Sequence, residues 1–450
     1  MTDLTSSGAV PAPRKGSLLT QDARTKQRNA KEARFRMMGL IAVTIGVLSL
    51  VGLLASILAS GLSSFQQTYV ALEVYLDPAK LDKKGERNIE DIAKVSTFGY
   101  TPLIEAAMIA AIEQTGVTSD VANAKAAGEL ISKEAPATLR DFVLANPDLI
   151  GETVQFDLLA AGRIDGFFKG RVTMESAALD RNVSPEQLQL AQQLKDAGIL
   201  TTKFNWAFFT APDASDTRPE AAGLGVAIIG SAYMMLIVLV LSLPLGVAAS
   251  IYLEEFAPKN RWTDLIEVNI SNLAAVPSIV FGILGLAIFI NMVGLPQSAP
   301  IVGGLVLTLM TLPTIIIATR AALKSVPPSI RDAALGVGAS KMQAIFHHVL
   351  PLAMPGILTG AIIGLAQALG ETAPLLLIGM VAFVREYPGG PPDGFFDPAA
   401  ALPVQVYNWT QRGDPAFVER ASGAIIVLLV FLVIMNIAAI LLRRRFERRW

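Results

Sequence analysis

The 450-residue chain contains no cysteine, and its two histidines, His347 and His348, stand side by side. No disulfide, zinc–thiolate centre or thiol nucleophile can be built from it, and an imidazole cage is out of reach. Charge is scarce: Asp, Glu, Lys and Arg make up 17% of the residues, against about 25% in soluble domains. The 37 basic and 38 acidic residues balance, so no net field steers the chain to a polyanion such as nucleic acid. No Gly-Lys pair occurs, so the G-x-x-x-x-G-K-[ST] phosphate loop is missing too. The Gly336-Val337-Gly338 stretch lacks the third glycine and the preceding strand of a dinucleotide fingerprint. These absences exclude a disordered chain, a nucleic-acid binder and an ordinary soluble enzyme. What remains is apolar: 52% of the residues are hydrophobic, and the composition is that of an integral membrane protein.

Five segments are nearly free of charge and long enough to cross a hydrocarbon core, at roughly 37–60, 222–252, 268–292, 301–323 and 421–442. A sixth, 352–381, carries one charge, Glu371. Six spans are expected. With the N-terminus inside, the tail, the short loops on its side and the C-terminus hold nineteen basic residues, and the short loops opposite hold three. By the positive-inside rule both termini are cytoplasmic. The first apolar run is too long for a signal peptide and no small-residue cleavage site follows it, so it reads as a retained anchor.

The expected organisation is a basic tail at 1–36, an anchor helix at 37–60, an extracytoplasmic α+β domain at 61–220, a five-span core at 221–442 and a basic tail at 443–450. Within the α+β domain, Thr68–Leu76, Thr153–Leu158 and Lys203–Thr210 have strand composition. Thr101–Gln114, Asp120–Lys133 and Ser184–Asp196 read as helices, the last opened by Ser184 with Gln187 three residues on. Nothing in this domain has catalytic spacing, which favours a scaffold or docking role.

Between the fourth and fifth spans a long connection runs from Arg320 to Gly356, with a loop proper at about 324–350. Pro327 and Pro328 end one helix and Ser329 is placed to cap the next. Met342, Ile345, Phe346 and Val349 then recur at helical spacing. Periodicity alone describes a helical hairpin lying on the bilayer surface. Glu371 is the one charge well inside a span. A charge at bilayer depth costs a few kcal/mol, so it faces a cavity or a partner rather than lipid. Gly282, Gly285, Gly303 and Gly304 permit close helix contact, which suggests a second membrane subunit.

Asp332-Ala333-Ala334, then Gly338, then Val349-Leu350-Pro351 resembles the EAA loop of ABC-importer permeases, with Asp332 in place of the usual Glu. Gly370–Leu376, GETAPLL, resembles the signature of the PstA-type phosphate-importer permeases. So do Pro244-Leu245-Gly246, Ile251–Glu255 and Ala275–Gly282; the resemblance spans roughly 222–442. It implies an all-α membrane protein of six transmembrane helices with a MetI-like core, the α+β domain being inserted between spans one and two. The implied function is that of a non-catalytic permease subunit of an ATP-driven importer for inorganic phosphate in the bacterial inner membrane. The chain would carry no cofactor; ATP and Mg would sit on a partner ATPase pair. Further implied partners are a second, PstC-type permease, an extracytoplasmic phosphate-binding protein and membrane lipid. Arg331, Asp332, Ala333, Ala334, Gly338 and Lys341 would form the ATPase-coupling element.

Glu371, Thr372, Gln367 and Arg320 are the substrate-path candidates. Phosphate near neutral pH retains a proton that sulfate lacks. An ionised Glu371 can accept a hydrogen bond from P–OH while repelling sulfate. Thr372 and Gln367 supply neutral donors, and Pro374 frees a backbone carbonyl. Relatives often carry arginine where Gln367 stands, which leaves Arg320 or a group of the partner permease to supply positive charge. The alternatives are a permease for sulfate or molybdate, and a membrane-anchored sensor.

Overall fold

The structure, a computed structural model, describes residues 23–117, 124–380 and 383–446. Expectations for residues 1–22, 118–123, 381–382 and 447–450 fall outside the described residues. The chain divides into two compact units, 1–56 and 57–450. The first is made, over its described residues, by helix α1 (Ala23–Gly61), which continues into the second unit. Its start is basic, from Arg24 to Arg36. Beyond Met37 no charge interrupts it, and large apolar side chains such as Leu40, Leu48 and Leu53 are exposed along its length. A run of this composition and length suits hydrocarbon better than water.

The second unit opens with strand β1 (Gln66–Tyr75). Its period-two pattern buries Val70, Leu72 and Val74 against helices α2 (Thr101–Thr115) and α3 (Ala135–Ala145). Strand β2 (Thr153–Leu159) pairs with it antiparallel, Tyr75 opposite Thr153. Helix α4 (Gly162–Phe168) and helix α5 (Pro185–Asp196) follow. Strand β3 (Leu200–Phe204) then pairs antiparallel with the other edge of β1, Gln66 opposite Phe204, giving the order β2-β1-β3. Helix α5 starts with a reciprocal cap: the Gln187 amide donates to Ser184 Oγ at 3.3 Å and the Ser184 amide to Gln187 Oε1 at 2.9 Å.

Two expectations for this domain fail. The strand expected over Lys203–Thr210 stops at Phe204. Asn205 is buried, its backbone amide donates to the Phe65 carbonyl at 2.8 Å, and its Oδ1 accepts from Phe208 N at 3.1 Å, which turns Ala207–Thr210 into a helical turn. The helix expected over Asp120–Lys133 is described from Ala124 and ends at Gly128, because Ile131 leaves it to bridge Ala160.

The remaining helices are α6 (Gly225–Ile251), α7 (Arg261–Ala274), α8 (Ser278–Leu284, prolonged as a π-helix to Met292), α9 (Pro300–Lys324), α10 (Pro328–Gly336), α11 (Leu350–Gly370), α12 (Ala373–Leu377), α13 (Leu402–Gln411) and α14 (Pro415–Phe446). Among the described residues, five helices are long and apolar enough to cross a membrane, or six if α7 and α8 count as one bent span. Their axes diverge by 104° at Ala275–Pro277, so the straight span expected over 268–292 is absent. Pro277 has no amide hydrogen and pushes Val276 out of the helical region, which forces the break. The span expected over 352–381 also differs: its helix ends at Gly370 and resumes at Ala373.

Small residues bring these helices together within the chain. A Cβ on Gly303 would meet Met234 Sδ at 2.4 Å, one on Gly304 would meet Ile237 Cβ at 2.6 Å, and one on Gly360 would meet Ala318 Cβ at 2.3 Å. Gly285 similarly faces Val306. The glycines expected to receive a second subunit are therefore occupied by this chain's own helices. Interhelical contact of this closeness is how dispersion drives packing where no hydrophobic effect operates.

At the start of α14 the sheet-bearing domain and the helical core share a buried cluster of charge. Glu419 is 6% and Arg420 4% exposed. Lys169 Nζ lies 2.7 Å from Asp165 Oδ2 and 3.1 Å from Glu419 Oε1, and Arg171 Nε pairs with the other Glu419 oxygen. Asp165 Oδ1 also accepts from Thr68 N of β1 at 3.0 Å. Arg420 donates to the carbonyls of Glu220 and Ala222, both at 2.6 Å, and to Gln67 Oε1 at 3.0 Å. Glu220 accepts from Ser132 Oγ, and burial pushes its carboxyl above the usual range.

Candidate functional site

Helix α11 reads as a continuous apolar run until Gly370. Glu371 then takes an extended backbone (φ −77°, ψ 131°), and Thr372 opens α12, with Pro374 in its first turn. Proline suits a first turn because its missing amide hydrogen is unbonded there anyway. The break therefore places Glu371 at a helix end rather than inside one. Its side chain is half-buried and has no hydrogen bond or ion pair among the described residues. Gln367, one turn back, and the adjacent Gly370 are exposed. Helix α12 itself is seated: Leu375 and Ile378 are buried with Phe281 and Val306. Gly282 of α8 lies so close that a Cβ there would stand 2.7 Å from Pro374 Cα. The two interrupted helices thus pack on each other, and broken helices of this kind line sites in many transporters.

Arg320 is differently placed from a free cation. Its Nη2 donates to Glu267 Oε1 of α7 at 2.6 Å, and its Nε lies 3.4 Å from Glu254 Oε2, just past the end of α6. Lys324 is 3.5 Å from the same Glu254 oxygen. Glu254 and Glu255 enter the sequence reading only as members of the Ile251–Glu255 stretch, with no role of their own, and Glu267 not at all. Their partners lie more than fifty residues away, and only the pairing reveals them.

The loop that follows α9 is built on helix α10. Pro327 occupies its cap position and Pro328 its first turn, so Ser329 lies inside the helix and does not cap it. At the other end Gly338 has φ +90°. The Gly338 amide donates to the Leu335 carbonyl at 2.9 Å and the Ala339 amide to the Ala334 carbonyl at 3.1 Å. This is a Schellman closure, and it requires the left-handed residue that Gly338 supplies. Ser340 and Gln343 then form a capping box that starts the next helical segment.

Ala334 is buried, while Asp332 and Ala333 are exposed. Leu335, Val337, Met342 and Phe346 form an exposed apolar edge, Val337 being 87% accessible. Ile345 and Val349, on the neighbouring stripe, are buried with Leu323 and Ile357. Lys341 is exposed, with Nζ 5.2 Å from the centre of the Phe256 ring. His347 and His348 are exposed. Arg331 turns inward: its Nε and Nη2 hold Glu255 Oε1 at 3.0 and 2.6 Å, and it also donates to the carbonyls of Leu323 and Val326. Among the described residues no group of three or more His, Asp or Glu side chains could hold a metal ion.

A membrane core of packed apolar helices, two of them interrupted, with an EAA-like helix–glycine–helix loop, defines the class: the membrane-spanning subunit of an ABC importer. Residues 242–450 match the family model described as binding-protein-dependent transport system inner membrane component. Residues 22–178 match a domain of unknown function, DUF3333. A probable ABC transporter permease, YqgI of Bacillus subtilis, is 34% identical over 230 residues, covering 49% of this chain and 78% of that one. Phosphate transport system permease protein PstA 1 of Mycobacterium tuberculosis is 32% identical over 230 residues, covering 51% and 73%. PstA of Xylella fastidiosa is 32% identical over 228 residues, covering 50% and 77%. Among solved structures, an inward-facing MetNI methionine ABC transporter chain aligns with 50% of this chain and 95% of its own, at 17% identity and a TM-score of 0.38.

The chain belongs to the PstA-type permeases of ABC importers, with a MetI-like core and a further N-terminal domain. It is a non-catalytic, multi-pass inner-membrane subunit, and its family works with a separate ATPase and a substrate-binding protein.

Proposed function

We propose that this chain admits inorganic phosphate as one of two unlike permeases, the other of PstC type, above a pair of ATPases that hold ATP and Mg. An extracytoplasmic phosphate-binding protein delivers the anion. Both termini lie in the cytoplasm. Residues 1–36 and 443–450 form basic tails, 37–60 the lipid-facing anchor, 61–220 the extracytoplasmic domain and 221–442 the permease core. The observation that carries the reading is an unpaired carboxylate, Glu371, at the break of a membrane helix packed against a second broken helix. The names of the relatives support phosphate as the cargo.

In this mechanism Glu371 accepts a hydrogen bond from a phosphate P–OH, and Thr372 and Gln367 donate to its other oxygens. A fully ionised oxyanion meets repulsion there and gains no such bond. The exposed edge beside Asp332, Ala333, Ala334, Gly338 and Lys341 docks into the ATPase, as an amphipathic helix docks into a groove. Closure of the ATPase dimer moves that loop. Transport follows because the two orientations of the core differ in affinity for the anion.

The test is uptake of labelled phosphate in cells lacking the chain. The wild type restores uptake and excess sulfate does not compete. Glu371→Gln, at equal membrane abundance, does not restore it. Failure of the wild type with its partners present, or equal competition by sulfate, overturns the phosphate assignment.

A further inference from the structure

The acidic pair at the end of α6 is absorbed neither by the substrate path nor by the docking edge, yet it engages α9 and α10 directly and α7 through Arg320. Glu254 and Glu255 are consecutive on the π-turn Tyr252–Phe256 that closes α6. Neighbouring helical residues point about 100° apart, so the two carboxylates reach different partners. Glu255, whose side chain is 8% exposed, takes the fork of Arg331 from α10. The remaining donors of that guanidinium satisfy the Leu323 and Val326 carbonyls at the end of α9, which a helix terminus otherwise leaves unpaired. Glu254 faces Arg320 on α9, whose other nitrogen holds Glu267 on α7.

Helix α7 presents Glu267 to α9 while Trp262, Leu265, Ile266 and Leu273 stay exposed. It then bends through 104° into α8, and α8 meets Pro374 at Gly282, three residues beyond Glu371. The contacts are continuous: α10, Arg331, Glu255, Glu254, Arg320, Glu267, α7, α8, Pro374.

We propose that Glu255 and Glu254 are positioning residues that transmit the movement of α10 to the broken helix pair beside Glu371. The proposal rests on the reading of α10 as the ATPase-docking helix. Partly buried ion pairs are poor stabilisers, since an apolar pair of equal volume often does as well, and their best-attested use is to fix register. Here two forked guanidiniums fix the ends of α6 and α9 to α10 and α7. A push on α10 is therefore delivered to α7 and is not lost in sliding between apolar side chains. Arg320 acts in this strut, held by two carboxylates, and touches no anion.

The experiment uses the complete complex in proteoliposomes: both permeases, the ATPase pair and phosphate-loaded binding protein. Phosphate moved per ATP hydrolysed is read together with basal and stimulated ATPase rates. Glu255→Gln keeps volume and one acceptor but removes the charge. It lowers the phosphate-to-ATP ratio about fivefold or more, while the ATPase still co-purifies and its basal rate persists. Arg331→Glu does the same, and the double variant Glu255→Arg with Arg331→Glu recovers at least half of the lost ratio. Glu267→Gln reproduces the defect from the far end.

An unchanged ratio in Glu255→Gln overturns the strut, as does a double variant no better than its poorer single. A fall in yield and thermal stability at constant ratio assigns the pair to folding and also refutes transmission. Failure of the phosphate reading is distinguishable. If the wild-type complex moves no phosphate, the strut is scored on the ratio of stimulated to basal ATPase with whichever loaded binding protein stimulates it.

Discussion

Two glycines, two residues apart, respond in opposite directions to the same substitution. Gly338 holds φ +90° in the closure that ends α10, and a Cβ added there meets nothing within 4 Å. The penalty of Gly338→Ala is therefore purely conformational, about 1–2 kcal/mol for an alanine held in the left-handed region. Gly336 is the last residue of the helix, has no positive φ, and has equally open space around its Cβ. Gly336→Ala lowers unfolded-chain entropy without strain and gains about 0.4–1 kcal/mol. The first change lowers the population of the docking-ready loop by a factor of about 5–30, and the second raises it. Binding of the isolated ATPase to detergent-solubilised permease, measured by biolayer interferometry, reads the two shifts directly. Amide exchange of Gly338 and Ala339 reports whether the closure itself has opened. A neutral Gly338→Ala, or two variants that move together, would refute the assignment of this loop geometry to the docking state.

Two further outcomes follow from the packing. Gly282→Val drives a side chain into the backbone at Pro374; overpacking costs about 1–3 kcal/mol, and phosphate uptake falls at unchanged membrane abundance. Glu419→Leu leaves Lys169 and Arg171 facing a buried apolar group. Thermal unfolding in detergent drops by an amount equivalent to about 3–5 kcal/mol, and a drop no larger than that of an exposed control would refute the burial argument.

Glu220 provides a pH test. Its carboxyl is raised above its ordinary value of 4.5 by burial. The folded state therefore binds its proton more tightly than the unfolded state, and this group destabilises the fold progressively as pH rises from 4.5 through the raised value. Glu220→Gln removes that loss, so the melting temperature of the variant falls less with rising pH across the window. Parallel pH profiles for variant and wild type would exclude the effect.

Much of the fold was legible because its signals are local. The Ser184–Gln187 cap, the alternation of β1 and the apolar runs each need only neighbouring residues. The helix breaks were harder to read. Hydropathy registers Val276 and Pro277, or Gly370 and Pro374, as apolar members of a span, whereas backbone chemistry interrupts both. Asn205 hid a turn inside a strand-like composition for the same reason: its effect comes from a side-chain bond to backbone.

Of the site, the position of Glu371 and the glycine of the α10 closure could be read from motif and spacing. The engagement of Arg320 and Arg331 could not, because their partners lie 53 to 76 residues away. Nothing in the spacing of Glu254, Glu255 and Glu267 announces a ladder. Arg420 stands just ahead of the last apolar run, where sequence suggests an exposed loop charge, and the structure buries it.

That buried foot of α14 bears on biogenesis. Helix α14 carries Glu419 and Arg420 in its second turn, and their partners Lys169, Arg171, Gln67 and Glu220 lie some 200 to 350 residues earlier in the chain. The helix follows the sheet-bearing domain in the chain, so its foot cannot settle until that domain, which holds its partners, has folded. The domain is thus a folding template for the foot of α14. Removing the domain without rewriting the second turn of α14 would leave Glu419 and Arg420 buried without these partners.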